Sequence, residues 1–413
     1  MNRSRNQALL LILMILFLGI LLAGVTWSNY QYTQKNPGGN DFLVHWVGTR
    51  VLFYEGISPY SDEAALRIQT IAYGRPARPG EHELRVAYPL YSVVFFLPFA
   101  LISDFNLARA VWMTVLEASL VGITLLSLRL CRWKPSPFML AGLLIFSLLW
   151  YHGLRPLING NAVILVALFI TGGLLALRDG ADELAGVLFA FATIKPQVVV
   201  LIVAFLLLWG IGQRRWRFVG WLVGTVGLLS LAAGLIFPDW IIQNLREVLR
   251  YPAYNPPGTP GAAFAQWWPS FGARLGWALT FLMALMLIVE WRSGLRAEFR
   301  GFLWTALLTL NIAQWIGIQT DPGNFVVLFP GIILAFALMY ERWHKGAAIA
   351  SSIILLVLFV GIWAIFLSTV QYGDQPVQSP VMFFPLPFVM FVLLYWVRWW
   401  AFHPLGAWMG WKR

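Results

Sequence analysis

Ala8 to Trp27 is an uninterrupted apolar run. A helix of about 20 such residues crosses a bilayer. Comparable runs recur along the chain as far as Trp400. They are too long and continuous for the strands of a membrane barrel, and open sheets cannot exist in hydrocarbon. The chain is 59% hydrophobic and only 11% charged, too little charge to clothe a soluble protein of 413 residues. The sequence therefore predicts an all-α polytopic membrane protein in one domain, residues 1–413.

Spans are predicted at Ala8–Trp27, Phe105–Leu128, Pro137–Tyr151, Ala162–Leu177, Leu184–Ile194, Val198–Ile211, Phe218–Phe237, Phe271–Trp291, Gly301–Gln319, Phe325–Tyr340, Ala347–Thr369 and Val381–Trp400. That makes about twelve. The first is too long for the core of a signal peptide and lacks a small-x-small cleavage site. Pro89–Leu101 is too short to span and is read as a re-entrant or interfacial helix. With that reading, the basic groups Arg129-Arg132-Lys134, Arg214-Arg215-Arg217, Arg292-Arg296-Arg300 and Arg342-Lys345 share one side with Arg3, Arg5, Lys412 and Arg413. Short basic loops mark the cytoplasm, so both termini are expected there, in a plasma (inner) membrane. The net charge of +11 is thereby a topology signal, and no nucleic-acid partner is expected. Two long polar loops, 28–104 and 238–270, lie on the other side with most of the acids, Asp374 among them. That outer face is where function is expected, and the first loop should hold interfacial helices.

Within the first loop, Gly38-Gly39-Asn40-Asp41 breaks the chain and opens a helix rich in aromatics. Asp41 suits the positive end of a helix dipole, and it is also a candidate general base. His45 lies one turn on, on the same face. Lys195 precedes Pro196 in the middle of an apolar stretch. Proline stops a helix, so two short helices should meet at Lys195 and leave an ammonium below the surface. That is tolerable beside a wet cavity or an anion. Arg155 and the Asn159-Gly160-Asn161 turn fall in one outer loop. Arg274 lies near the outer end of a span, shortly after Gln266. Glu117 lies inside a span with Arg109 two turns earlier, and a structural pairing with another helix is as good a reading as a functional one.

Cys131 is the sole cysteine, which excludes an internal disulfide and a thiolate metal site. No HExxH, CxxC, Walker motif or strand-linked GxGxxG is present. No metal site and no cofactor are expected. An outward cavity with one carboxylate and the cations Lys195, Arg155 and Arg274 suits a base beside a phosphate leaving group. Those parts fit sugar transfer from a polyprenyl-phosphate carrier to a hydroxyl. A flippase or transporter of lipid-linked saccharides and a non-catalytic membrane scaffold remain open on these residues alone. Transporters usually show matching broken helices in two repeats, and here one broken stretch is visible.

The order Asp41, Gly56-x-x-Pro59-Tyr60, Tyr88-Pro89 with Pro98, Asn159-Gly160-Asn161, Ala192-Thr193-Ile194-Lys195-Pro196-Gln197 and Asp321-Pro322 resembles glycosyltransferase family 87, membrane enzymes of the GT-C superfamily. The resemblance implies a GT-C fold, a polyprenyl-phosphate sugar donor (commonly mannose), inversion at the sugar carbon and Asp41 as base, a cell-envelope mannosyltransferase type of chemistry. It implies a short re-entrant helix after the first span. The sugar and acceptor pocket is expected to be formed by Tyr60, Tyr88, His45 (which orients Asp41 or touches the acceptor), Asn159, Asn161, Gln197, Gln266, Asp321 and Asn324. The expected partners are the lipid-linked donor, an acceptor glycan, glycolipid or protein, and membrane lipids. Asn324 and Asn161 depart from the His and Gln common in the family. Asn40 stands where related families often pair a second acid, so Asp41 is expected to be the lone carboxylate.

Overall fold

Almost every apolar run forms a helix. The computed structural model describes residues 2–255, 258–316, 321–371 and 378–403, and among them no strand occurs. Gln319, Asp374, Lys412 and Arg413 lie outside the described residues. Helix α1 (Asn2–Lys35) is apolar on all sides from Leu9 to Leu22, and these residues are exposed throughout, as a lipid-facing span should be. The turn at Gly38 and Gly39 (φ +134° and +77°) then starts α2 (Asn40–Glu55). Gly56, also left-handed, ends α2 with its N–H on the Leu52 carbonyl.

Ser61 caps α3 (Asp62–Tyr73) by accepting from Ala64 N at 3.1 Å. The Pro89–Leu101 stretch becomes a short 3₁₀ turn and α4 (Val93–Ala100). Eight residues rise about 12 Å, so α4 does not cross a bilayer. It lies against α2: Phe96 stacks on His45 at 4.1 Å between ring centroids. Arg50 Nη1 of α2 donates to the Ala100 carbonyl at 2.6 Å and so caps the end of α4.

Helix α5 (Phe105–Leu130) starts at Asp104, whose side chain accepts from Leu107 N. It pairs with α1 through a polar seam. Asn29 Nδ2 donates to Glu117 Oε2 at 3.0 Å, and Thr26 bonds Thr114. Glu117 is thus a helix-pairing acid. Helices α6 (Pro137–Leu149) and α7 (Tyr151–Asn159) form one pair bent by 46° at Trp150. Next come α8 (Val163–Asp179), α9 (Asp182–Ala192) and α10 (Pro196–Gly212), with the break at Lys195 where Pro196 opens α10.

Helix α11 (Trp216–Ile236) leads to the second large loop. It contains α12 (Trp240–Tyr254) and α13 (Pro260–Trp267). The chain closes with α14 (Gly272–Gly294), α15 (Phe299–Ile316), a 3₁₀ stretch at Pro322–Leu328, α16 (Phe329–Trp343), α17 (Lys345–Thr369) and α18 (Pro385–Phe402).

Among the described residues, seven helical segments are long and apolar enough to cross a membrane, eight if α6–α7 is one span. The chain is a multi-pass membrane protein. The expected twelve exceeds this count, although every predicted segment is helical over most of its described residues. The difference lies in α8, α9, α10 and α15. The first three are short, and α15 carries Arg300, Asn311 and Gln314. All residues of α15 from Phe299 to Trp315 are buried, as is most of α16. A helix wrapped by protein can keep polar groups that a lipid-facing helix cannot: Asn311 donates to the Pro387 carbonyl at 3.0 Å.

Two turns far apart in sequence are tied to α5. Arg109 is buried and donates to the Asn36 carbonyl at 2.8 Å and to the Ile158 carbonyl at 3.0 Å. Trp112 Nε1 donates to the Gly160 carbonyl at 2.8 Å. Gly160 is left-handed (φ +72°), and a Cβ there would lie 2.5 Å from Cβ of Phe42. Gly160→Ala should therefore lower stability by about 1–3 kcal/mol. Gly80→Ala, at φ +88° but in open space, should cost less. Thermal unfolding of both variants in detergent tests this, and equal losses would remove the Phe42 contact as the cause.

Candidate active site

The tie through α5 brings the first turn of α2 against the end of α7. Asp41 Oδ2 accepts from Asn159 Nδ2 at 2.6 Å and from Asn161 Nδ2 at 2.9 Å. The same Asn161 nitrogen contacts Asp321 Oδ2 at 3.1 Å. Its oxygen accepts from Lys195 Nζ at 2.7 Å and from Val163 N at 2.9 Å. Asn161 thus joins two carboxylates and one ammonium through a single amide.

Lys195 is 2% exposed, and its ammonium lies 5.6 Å from the centroid of the Tyr88 ring. Among the described residues its hydrogen bond to Asn161 leaves two of its three N–H groups for another acceptor. Asp321 forms an ion pair with Arg155 and accepts from Gly323 N at 2.9 Å. Gln378 sits between the Tyr151 hydroxyl and the Arg155 guanidinium. His152 Nδ1 donates to the Pro322 carbonyl at 2.7 Å and fixes the turn that carries Asp321.

The two carboxylates are held at different protonation levels. Burial and the neighbouring Asp321 push Asp41 up to about 6, against the opposing pull of Lys195, Arg155 and the Asn161 amide. Burial acts on Asp321 in the same direction. There Arg155, Lys195, the Gly323 N–H and Asn161 outweigh it and leave Asp321 below the usual carboxylate range. Two acids driven apart in this way mark a division of roles. Asp41 is thus held above the usual carboxylate range and Asp321 below it.

The sequence reading of one carboxylate standing alone is corrected here. Asp321 is the second, brought in from the far end of the chain. Of the other predicted site residues, the structure gathers Asp41, Lys195, Arg155, Asn159, Asn161, Tyr88 and Asp321. Asn324 is buried in the 3₁₀ stretch that follows Asp321, with its N–H on the Asp321 carbonyl. Gln197 lies in the first turn of α10, half-buried.

His45 is packed between Tyr88 and Phe96. Burial, then Lys195, push it down to about 3, so the ring is neutral. The Tyr60 hydroxyl donates to the Tyr88 carbonyl at 2.7 Å, so Tyr60 fixes the backbone beside the site. The gap lined by His45, Thr49, Tyr60 and Tyr88 measures about 10 Å³, room for one water and not for a sugar. Two expected members stand elsewhere. Arg274 is exposed in the first turn of α14, and Gln266 in α13 accepts from Ser379 at 3.2 Å. His152 and Gln378 were not foreseen. A lone histidine carries no sequence signal of its partner, and nothing in the sequence beside Gln378 names Tyr151 or Arg155.

A family model described as Glycosyltransferase family 87 matches residues 87–312, more than half of the chain. The matched stretch includes Tyr88, Arg155, Asn159, Asn161 and Lys195; Asp41 and Asp321 fall outside it. No protein of curated function and no solved structure matches the chain.

The ion pair of Arg155 with Asp321 is mostly shielded from solvent, with the side chains 27% and 16% exposed. Removing one partner strands the other, so Asp321→Asn should cost roughly 1–3 kcal/mol. Arg155→Gln added to it should cost much less than the sum of the two single changes. A double-mutant cycle by thermal unfolding measures the coupling, and additive losses would mean that the pair is energetically idle.

Proposed function

The chain belongs to glycosyltransferase family 87, and from that membership of a membrane glycosyltransferase family we propose the reaction it performs. A sugar, mannose or another hexose, moves from a polyprenyl-phosphate carrier to an acceptor hydroxyl at the extracytoplasmic face of the plasma membrane. Asp41 takes the hydroxyl proton. The acceptor oxygen attacks the anomeric carbon from the side opposite the phosphate. The carbon–oxygen bond to phosphate breaks, and the carrier phosphate leaves with the electron pair. Attack from the opposite side inverts the configuration in a single displacement, with no covalent enzyme intermediate.

The observation that carries this reading is the division between Asp41 and Asp321 around Asn161. A base must be ionised before it acts and must hold the proton afterwards, which is easiest when its pKa lies near the working pH. The Asp41 position meets that need. Asp321 is committed to Arg155, which leaves Lys195 as the cation with donors to spare for the phosphate. Buried, aimed donors of this kind stabilise charge that develops on a leaving group. The ring of Tyr88 beside the ammonium offers an apolar face for the sugar.

Asp41→Asn should fold, insert and lose turnover by about 10²–10⁴-fold. Lys195→Ala should raise the donor KM more than Arg129→Ala, since Arg129 is exposed and pairs only with Asp179 among the described residues. Label transfer from polyprenyl-phosphate mannose and glucose, with wild type beside the variants, reads both. Full turnover in Asp41→Asn would end the assignment of the base, and donor binding without transfer in wild type would favour lipid translocation.

The pH profile gives a separate check. The active form of Asp41 is the carboxylate, so kcat/KM should fall as pH drops below about 6. The Asn161 amide favours the carboxylate, so Asn161→Ala should move this acid limb to higher pH. A limb that stays in place would place the titrating group elsewhere.

A further inference from the structure

Helix α12 has two opposite faces that meet different surroundings. Trp240, Asn244, Glu247 and Tyr251 recur at helical spacing on the side toward the protein, with Trp240 and Glu247 buried. Ile241, Leu245 and Leu249 recur at four-residue spacing on the other side, with Ile242 beside them. These four side chains are 55–72% exposed. A contiguous apolar stripe of this kind marks a surface that something covers.

The stripe continues a surface that already faces lipid. Helix α11 is long and apolar enough to span a membrane, and Leu228, Leu231, Leu235 and Ile236 along it are exposed. Helix α12 begins at Trp240, shortly after α11 ends at Ile236. It has 15 residues and carries Arg246, Glu247 and Arg250, so it does not cross the membrane itself. A helix with one apolar face and charges beside it lies in the interface, with that face among the acyl chains. Arg246 and Arg250 border the stripe and are exposed, as cations at headgroup level are. The stripe itself holds only Ile and Leu. Cores of protein interfaces favour Trp, Tyr and Arg, and none stands within it.

The inner face of α12 holds the segment that leads to the site. Asn244 Nδ2 donates to the Ala87 carbonyl at 3.0 Å, and Glu247 pairs with Arg85 at 2.7 Å. The Ser58 hydroxyl donates to Gln243 Oε1 at 2.5 Å. The Trp240 ring meets the Tyr91 ring edge-on, with centroids 5.8 Å apart. The Tyr91 hydroxyl donates to the Thr193 carbonyl at 3.1 Å, and Thr193 stands two residues before Lys195. Direct contacts therefore run from α12 through Tyr91 to the break that carries the ammonium. The same 85–91 segment includes Tyr88, whose ring faces that ammonium.

We propose that the apolar stripe of α12 is a membrane-docking surface seated in the acyl chains of the outer leaflet, and that this seat braces the 85–91 segment and the Lys195 turn. The occupant is lipid, not a second copy of the chain or another protein. The placing of that leaflet on the extracytoplasmic side rests on the reading proposed above; the seating does not. Without lipid on its outer face α12 would be held by its inner contacts alone, and those contacts would open more often.

Cys131 is the sole cysteine and is buried, so a Cys131→Ser background accepts single spin labels. Labels on Leu245→Cys and Leu249→Cys are compared with Leu228→Cys in the span and Arg78→Cys in the exposed 77–81 turn. The full chain sits in vesicles of phosphatidylcholine and phosphatidylglycerol. Power saturation reads access to oxygen, which collects in lipid, and to a water-soluble nickel chelate. Both α12 labels should favour oxygen several-fold, as Leu228→Cys does and Arg78→Cys does not. A preference for the chelate would overturn the proposal, and so would protection from both reagents, the mark of a protein partner. Amide exchange reads the brace. Leu245→Asp combined with Leu249→Asp should speed exchange several-fold at residues 90–92 and 193–195 and leave the buried α16 unchanged. A folded variant with wild-type exchange at both segments would also overturn the proposal. Neither readout uses turnover, so a failure of the transfer reaction and a failure of the seat are told apart.

Discussion

Arg109 of α5 is the constraint on which the site depends. It sits in the interior with its guanidinium shared between the carbonyls of Asn36 and Ile158. These carbonyls end the two chain segments that carry Asp41 and the Asn159–Asn161 turn. Buried guanidinium groups are costly unless their donors are used, so Arg109 holds both segments at hydrogen-bond distance. Gly39 lies against this side chain, where a Cβ would fall 2.4 Å from Nε. Trp112 adds a second tie one turn along α5. The carboxylate and its two amides meet because one helix holds both of their turns.

Asn161 does the corresponding work among the charges. A side-chain amide is neutral, yet it presents a donor end and an acceptor end. The donor end faces Asp41 and Asp321, and the acceptor end faces Lys195. Two negative groups and a positive one can therefore stand close together in a mostly buried region without a direct contact that would lock the base. The tight pairing goes to Asp321 and Arg155 instead. Among the described residues Asp41 is hydrogen-bonded by the Asn159 and Asn161 amides and by no cation, and its raised proton affinity comes from burial and from Asp321.

Much of this was legible in the sequence where the cause is local. Apolar runs form helices whose ends fall within a few residues of those read from Pro, Gly and charge. The break at Lys195 follows from Pro196, and the turn at Gly38-Gly39 places Asp41 in a first turn. Asn159-Gly160-Asn161 is a left-handed turn, as its glycine suggests. What sequence spacing could not carry is long-range pairing. The contact of Asp321 with Asn161 joins residues far apart in the chain, and nothing in either neighbourhood names the other. Arg274 was placed in the cavity by its height along a span, but height does not set the direction a helix face points. The count of spans differs because short or polar-bearing helices inside protein read like spans when only hydropathy is used, and length and composition alone mark seven or eight among the described residues. The pairing of Arg85 with Glu247 is long-range in the same way and has no local sequence signal.

The break before α10 has a consequence beyond placing an ammonium. A helix that starts at Pro196 leaves its first N–H groups without partners inside the helix, and their dipoles add up to about half a positive charge at that end. Lys195 is the residue at this end. The positive potential there thus has two sources, one a side chain and one the backbone itself. Only the first can be deleted by substitution. The polypeptide would go on attracting an anion to this spot as long as the helix begins there, and moving the proline would alter the field as surely as changing the lysine.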